Sequence, residues 1–360
     1  MNRSAPLVVG LAVLLGGAAC GSATPRATAI STVPAAIEPL ATSLVTAQGA
    51  WAIVEMGGPA SAEENFWQVF VQHGGTWSLA TPPGVADNGG LVAAGSPGSL
   101  AIGFRPSQGL VFSPLATSTD GGQHWVPGVL GAALASVPDA LAMGPSGAEL
   151  ALLRNGDVDV SGAGRTWSGL TSEPALAASA AGRECGVTGV DALSFWPNGL
   201  KVVAGACERR GVAGVFTDTN GTWRLDGPSV PGGGQVRVLR LSGSTALLAS
   251  GGAVYAAWHG SSWTVSGALA AGGVVASGFG SDGSAWVLLG GGRAAVISGP
   301  GGAWQPLPAV PGRTAALALT GGETDSFAIA GDVATVWRLS AGAWTKAQVI
   351  NVPIAAGSSG

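Results

Sequence analysis

Arg105, Arg209 and Arg293 fall in short polar stretches between apolar runs. Converging guanidinium groups of this kind hold a carboxylate, sulfate or phosphate through forked hydrogen bonds. Glu63, Glu64, Arg154, Glu208, Arg210 and Asp332 occupy comparable stretches. Loops on a rigid scaffold commonly carry binding sites, although exposed charge is also the default for any solvated loop. Paired acids for glycoside hydrolysis could come from Glu63, Glu64, Glu184, Glu208 and Asp332, but no spacing singles out two of them. The three histidines, His73, His124 and His259, fall beside the tryptophan-tipped turns of different repeat units, away from the expected ligand face and from one another, which argues against a shared zinc site. No glycine-rich phosphate loop with its lysine, no Gly-x-Ser-x-Gly elbow and no EF-hand loop is present, so neither a cofactor nor a metal is expected.

The elements that must position these groups follow from a repeated phrase. A small or turn-forming run ends in tryptophan at Trp77, Trp125, Trp167, Trp223, Trp263, Trp304 and Trp344, and a few strand-like residues follow each time. The spacing between successive copies is close to that of one four-stranded propeller blade. Apolar runs broken by glycine turns fill the intervals, as in Val236 to Leu241, Ala246 to Ser250, Ala253 to Trp258 and Trp263 to Val265. These read as strands A to D, with the tryptophan phrase at the C to D turn. The same order returns at Ala315 to Leu319, Ser326 to Ala330, Val333 to Leu339 and Trp344 to Ile350. The expected fold is therefore all-β, a seven-bladed β-propeller of four-stranded antiparallel blades over residues 38–352, with a disordered tail at 353–360. With 61 Gly, 22 Pro and only 10% charged residues, the composition suits many short strands and tight turns.

The first residues read separately. Arg3 gives a positive start, Leu7 to Leu15 an apolar run, and Gly16-Gly17-Ala18-Ala19 a small-residue cleavage region directly before Cys20. The segment 1–19 resembles a bacterial lipoprotein signal peptide. That resemblance implies lipidation of Cys20 and an exported protein anchored at the outer surface of the cell membrane, with 20–37 as a flexible tether. An ordinary secretory leader with Cys20 incidental is the alternative. In an oxidising compartment Cys185 and Cys207 are expected to form a disulfide, two free buried thiols being the other reading. The 56 residues separating Trp167 from Trp223 mark the fourth unit as the one with extra loop, which that disulfide would pin.

One copy of the phrase is more specific. Ser118-Thr119-Asp120-Gly121-Gly122-Gln123-His124-Trp125 matches the Asp-box pattern Ser-x-Asp-x-Gly-x-x-Trp at its fixed positions, Ser118, Asp120, Gly122 and Trp125. The chain thus resembles the Asp-box (BNR-repeat) β-propellers of sialidase-like fold. That family includes sialidases and other glycoside hydrolases, sorting receptors and assembly factors related to the photosystem II stability protein of chloroplasts. In it the box lies opposite the ligand face, so the resemblance implies a structural role for these residues. A sialidase would also need a tyrosine nucleophile assisted by Glu. The one tyrosine, Tyr255, sits in strand C of the fifth unit, where a packed strand residue is expected. No catalytic residue is therefore assigned.

The formal net charge of −4 leaves no basic surface for phosphates, so nucleic acid is not expected as a partner. Arg105, Arg209 and Arg293 are the ligand-binding candidates. The expected function is non-catalytic, a monomeric binding or scaffold protein facing an envelope protein or a glycan. A glycoside hydrolase of sialidase-like fold and an assembly factor gripping a membrane protein are the alternatives.

Overall fold

The structure, a computed structural model, describes residues 43–46, 49–56, 66–82, 91–96, 99–104, 115–127, 138–153, 155–162, 166–280 and 282–352. The expected leader, the lipidated Cys20, the tether and the tail at 353–360 lie outside the described residues. Strands dominate. The first sheet comprises β1 (Ser43–Thr46), β2 (Gly49–Met56), β3 (Phe66–His73) and β4 (Thr76–Leu79); the second, β5 (Leu91–Ser96), β6 (Ser99–Phe104), β7 (Leu115–Ser118) and β8 (Val126–Pro127). In the third lie β9 (Pro138–Met143), β10 (Glu149–Leu153), β11 (Asp157–Ser161) and β12 (Trp167–Ser172). Two short helices follow, α1 (Glu173–Ala178) and α2 (Ala180–Cys185), before β13 (Val187–Phe195), β14 (Lys201–Cys207), β15 (Gly214–Thr219) and β16 (Thr222–Leu225) of the fourth. The fifth holds β17 (Val236–Ser242), β18 (Thr245–Ser250), β19 (Ala253–His259) and β20 (Trp263–Val265), with an added strand β21 (Leu269–Ala270) paired to β19. The sixth is β22 (Val274–Phe279), β23 (Ala285–Leu289), β24 (Arg293–Ile297) and β25 (Gln305–Pro306). β26 (Thr314–Thr320), β27 (Glu323–Ala330), β28 (Val333–Ser340) and β29 (Ala343–Asn351) complete the seventh.

Every sheet is antiparallel and built from consecutive strands, so each is a meander closed by short turns. Glycine makes those turns possible. In the hairpins joining β3 to β4, β15 to β16 and β28 to β29, both central residues have positive φ: Gly74 and Gly75, Asn220 and Gly221, Ala341 and Gly342. Two-residue hairpins of this hand match the twist of the flanking strands, and this is why the small-residue phrase precedes its tryptophan. Second strands are covered on both faces, as the uninterrupted burial of β10 and β23 shows, whereas the outermost β29 is largely exposed.

Sheets pack face to face in chain order. Ile53 of the first shares a buried cluster with Leu100 and Ile102 of the second; Leu115 of the second shares one with Ala151 and Leu153 of the third. Leu152 of the third and Phe216 of the fourth belong to one cluster, Val215 of the fourth and Leu248 of the fifth to another, and Leu247 of the fifth and Val287 of the sixth to a third. Trp286 of the sixth shares a cluster with Phe327 of the seventh and with Phe70 and Trp77 of the first. The last sheet therefore packs on the first. Each large side chain buried this way contributes about 1.5–3 kcal/mol.

The sequence did not announce the two helices. Ser172 caps α1 and Ser179 caps α2, each side-chain oxygen accepting from a backbone N–H, and Pro174 stands in the first turn. They occupy the stretch expected to be extra loop. Cys185 ends α2 and is disulfide-bonded to Cys207 at the end of β14, with Cα atoms 5.1 Å apart. Both cysteines are buried.

Candidate ligand cavity

The first strands of successive sheets supply the walls of a wide cavity. It encloses about 890 Å³, with β9, β13, β17 and β22 running alongside it. Its lining mixes apolar groups with Asp139 of β9, Asp191 of β13, Arg237 and Arg240 of β17, and Glu173 of α1. Arg237 is exposed beside the buried Val236 and Val238, so it alternates into the cavity as the pleat of the strand dictates. A bulge between Val238 and Arg240 shifts the register there, allowing two arginines three positions apart to line the same cavity.

The expected arginine cluster divides differently. Arg105 lies outside the described residues. Arg209 is exposed and pairs with Glu184 of α2 at 3.0 Å; its N–H donates to Cys185 O, also at 3.0 Å. The neighbouring Glu208 N–H donates to Gly186 O, so the loop after β14 is tied to the disulfide and the helices. Arg293 opens β24 and borders a separate hollow of about 290 Å³. Neither described candidate lines the wide cavity.

Tyr255 packs in the cluster between the fourth and fifth sheets and is 7% exposed, its hydroxyl donating to Pro231 O at 3.3 Å. His259 stacks on Trp196 with ring centroids 4.5 Å apart, and His73 lies against Gly121 beside the turn that carries His124. Among the described residues no group of three His, Cys, Asp or Glu side chains is placed to hold a metal.

The turn at Ser118–Trp125 is a closed hydrogen-bond unit. Asp120 Oδ1 accepts from the N–H of Gln123 at 3.0 Å, the N–H of His124 at 2.9 Å and the Ser118 hydroxyl at 2.7 Å. Ser118 Oγ in turn accepts from the Gly122 N–H at 2.8 Å. The His124 amide, the Ser118 hydroxyl and the His124 ring together hold the Asp120 carboxyl far below the usual carboxylate range. Gly122 has φ of 90°, and an added Cβ would stand 3.1 Å from Val71 Cγ2, so both the backbone conformation and the neighbouring sheet favour glycine there. Asp218 repeats part of this arrangement by accepting from the Gly221 N–H at 2.7 Å.

No family model and no curated relative matches the sequence. Solved structures do match. A protein from Lactobacillus plantarum is 13% identical over 85% of this chain and 97% of its own, with a TM-score of 0.50. A protein from Bacteroides uniformis described as a putative 6-phosphogluconolactonase is 14% identical over the same shares, also at 0.50. YCF48 from Cyanidioschyzon merolae is 15% identical over 86% of this chain and 96% of its own, at 0.46. The fold is a β-propeller. Identities this low show the fold alone.

The propeller plan explains why the cavity is where it is: first strands face the axis, and their side chains alternate between the axis and the neighbouring sheet. The charges lining the channel stand on strands, whereas the sequence candidates stand in the connecting segments. A signal was present. Arg237 and Arg240 interrupt a strand whose other residues are Val, Leu and Ser, and Asp191 interrupts Val187–Phe195. Charges in an innermost strand have only the channel as a polar environment.

Proposed function

We propose that this chain is an exported, lipid-anchored, seven-bladed Asp-box β-propeller that acts as a non-catalytic binding or scaffold protein in the cell envelope. The seven consecutive sheets support the blade count, and the hydrogen-bonded Ser118–Trp125 turn supports the Asp-box reading. The observation that carries the non-catalytic reading is the placement of Tyr255, whose hydroxyl is committed to Pro231 O inside a packed cluster. The channel offers charged side chains of both signs to a polypeptide or glycan, which suits recognition.

The full anchored chain and two variants test this reading. Cys20→Ser should release the protein from the membrane fraction, and Arg237→Glu should abolish retention of the partner that the wild-type chain retains from an envelope extract. A partner set unchanged by Arg237→Glu removes the channel from the proposal. Release of methylumbelliferone from a 4-methylumbelliferyl sialoside, lost in Tyr255→Phe, would replace it with the glycoside hydrolase reading.

A further inference from the structure

We propose that the hollow beside Arg293 is a second ligand site, separate from the channel, and that it takes a short aliphatic monocarboxylate. The hollow encloses about 290 Å³, at the small end of ligand pockets. Its walls are Leu269, Leu289, Ala294, Pro306 and Leu307, and Arg293 is the single charged residue among its lining. An added Cβ at Gly272 would stand 3.9 Å from Arg293 Nη2, which places the guanidinium beside the loop between β21 and β22, at the border of the hollow. One cation over apolar walls favours a monoanion with an apolar body, since a more highly charged group would be left partly uncompensated.

Two features of the fold frame this place. The fifth sheet departs from the four-stranded plan by adding β21, and both residues of β21 line the hollow. On the opposite side Gly291 and Gly292, with φ of 78° and 73°, form the turn into Arg293, and a Cβ at either would meet nothing within 4 Å. The hollow is therefore open beside this turn. The Leu307 N–H donates to Ala294 O at 2.9 Å, fixing the far wall to β24.

Titration calorimetry of the full chain with sodium hexanoate tests the site, with hexan-1-ol and hexylamine as probes of the same length. Hexanoate should bind saturably, the two controls should not, and Arg293→Gln should weaken hexanoate at least about tenfold, as expected for loss of a charge-assisted contact. Arg293 is exposed, so this variant should retain the wild-type melting profile. Equal binding of hexan-1-ol, an unchanged affinity in Arg293→Gln, or no saturable binding of hexanoate overturns the proposal. Tighter binding of a tripeptide with a free C-terminal leucine than of hexanoate would also overturn it, by making a chain terminus the occupant. None of these results depends on the channel having a ligand.

Discussion

The indole N–H of Trp77 donates to Asp325 Oδ2 at 2.8 Å, joining residues 248 positions apart in sequence. Asp325 is fully buried and accepts as well from Gln72 Nε2 at 3.2 Å, from Arg338 Nε at 2.8 Å and from Arg338 Nη2 at 2.9 Å. Gln348 completes the junction: its side chain accepts from the Trp77 N–H at 2.9 Å and donates to Trp77 O at 2.6 Å. No strand is exchanged between the first and seventh sheets among the described residues; polar side chains and the Trp77–Phe327 edge-to-face contact at 4.8 Å join them instead.

Asp325→Ala should destabilise the protein by about 3–5 kcal/mol, because Arg338 and the Trp77 indole would lose a buried acceptor together. Urea unfolding followed by tryptophan fluorescence measures this. A loss below about 1 kcal/mol would mean that water replaces the carboxylate.

Three other phrase tryptophans play a milder version of the same part. Trp263, Trp304 and Trp344 donate to Asp226 O, Gly267 O and Pro308 O, each a backbone carbonyl 36 or 37 residues earlier in the preceding sheet's exit. Trp344→Phe should therefore cost about 1 kcal/mol, one solvent-accessible hydrogen bond. Trp77→Phe should cost more, about 2–3 kcal/mol, by stripping a donor from a buried charge. Denaturation midpoints of the two variants, compared directly, decide the ranking.

The Cys185–Cys207 bond closes a sequence separation of 22 that holds β13 and β14, and it ties the end of α2 to the end of β14. Its removal by Cys185→Ser with Cys207→Ser should lower stability by about 3 kcal/mol through the freedom returned to the unfolded chain. Melting curves with and without reductant should show the wild type converging on the double variant only after unfolding, since both sulfurs are buried.

Burial pushes the Glu149 carboxyl up to about 7 from its ordinary 4.5. A raised carboxyl pKa stabilises the fold fully below 4.5, and that contribution is lost as the pH climbs through 7. The wild type should lose on the order of 3 kcal/mol between pH 4.5 and pH 8 from this group. Glu149→Gln should flatten the profile in that window, as read by urea midpoints at several pH values; parallel profiles would mean that Glu149 is solvated.

Ala341 holds a φ of 49°, a left-handed conformation that costs a residue with Cβ about 1–2 kcal/mol. Asn220 occupies the equivalent hairpin position at 54°. Ala341→Asn should accordingly raise stability by up to about 1 kcal/mol, and an unchanged or lowered melting temperature would contradict the strain.

Much of the architecture was legible from residue types. The tryptophan phrase predicted the third-to-fourth strand turn in every sheet, and strands expected at Val236 to Leu241 and Val333 to Leu339 form as Val236–Ser242 and Val333–Ser340. Turn chemistry and apolar runs are local properties, so spacing alone conveys them. The disulfide partners followed from there being two cysteines beyond Cys20. Other features depended on the assembled sheets. The helices α1 and α2 rest on serine caps too short to stand out, and β21 is two residues long. The walls of the channel, the hollow at Arg293 and the pairing of Trp77 with Asp325 join residues from separate sheets. Such contacts arise when sheets pack on one another, and neither period nor composition encodes which distant side chain will face which.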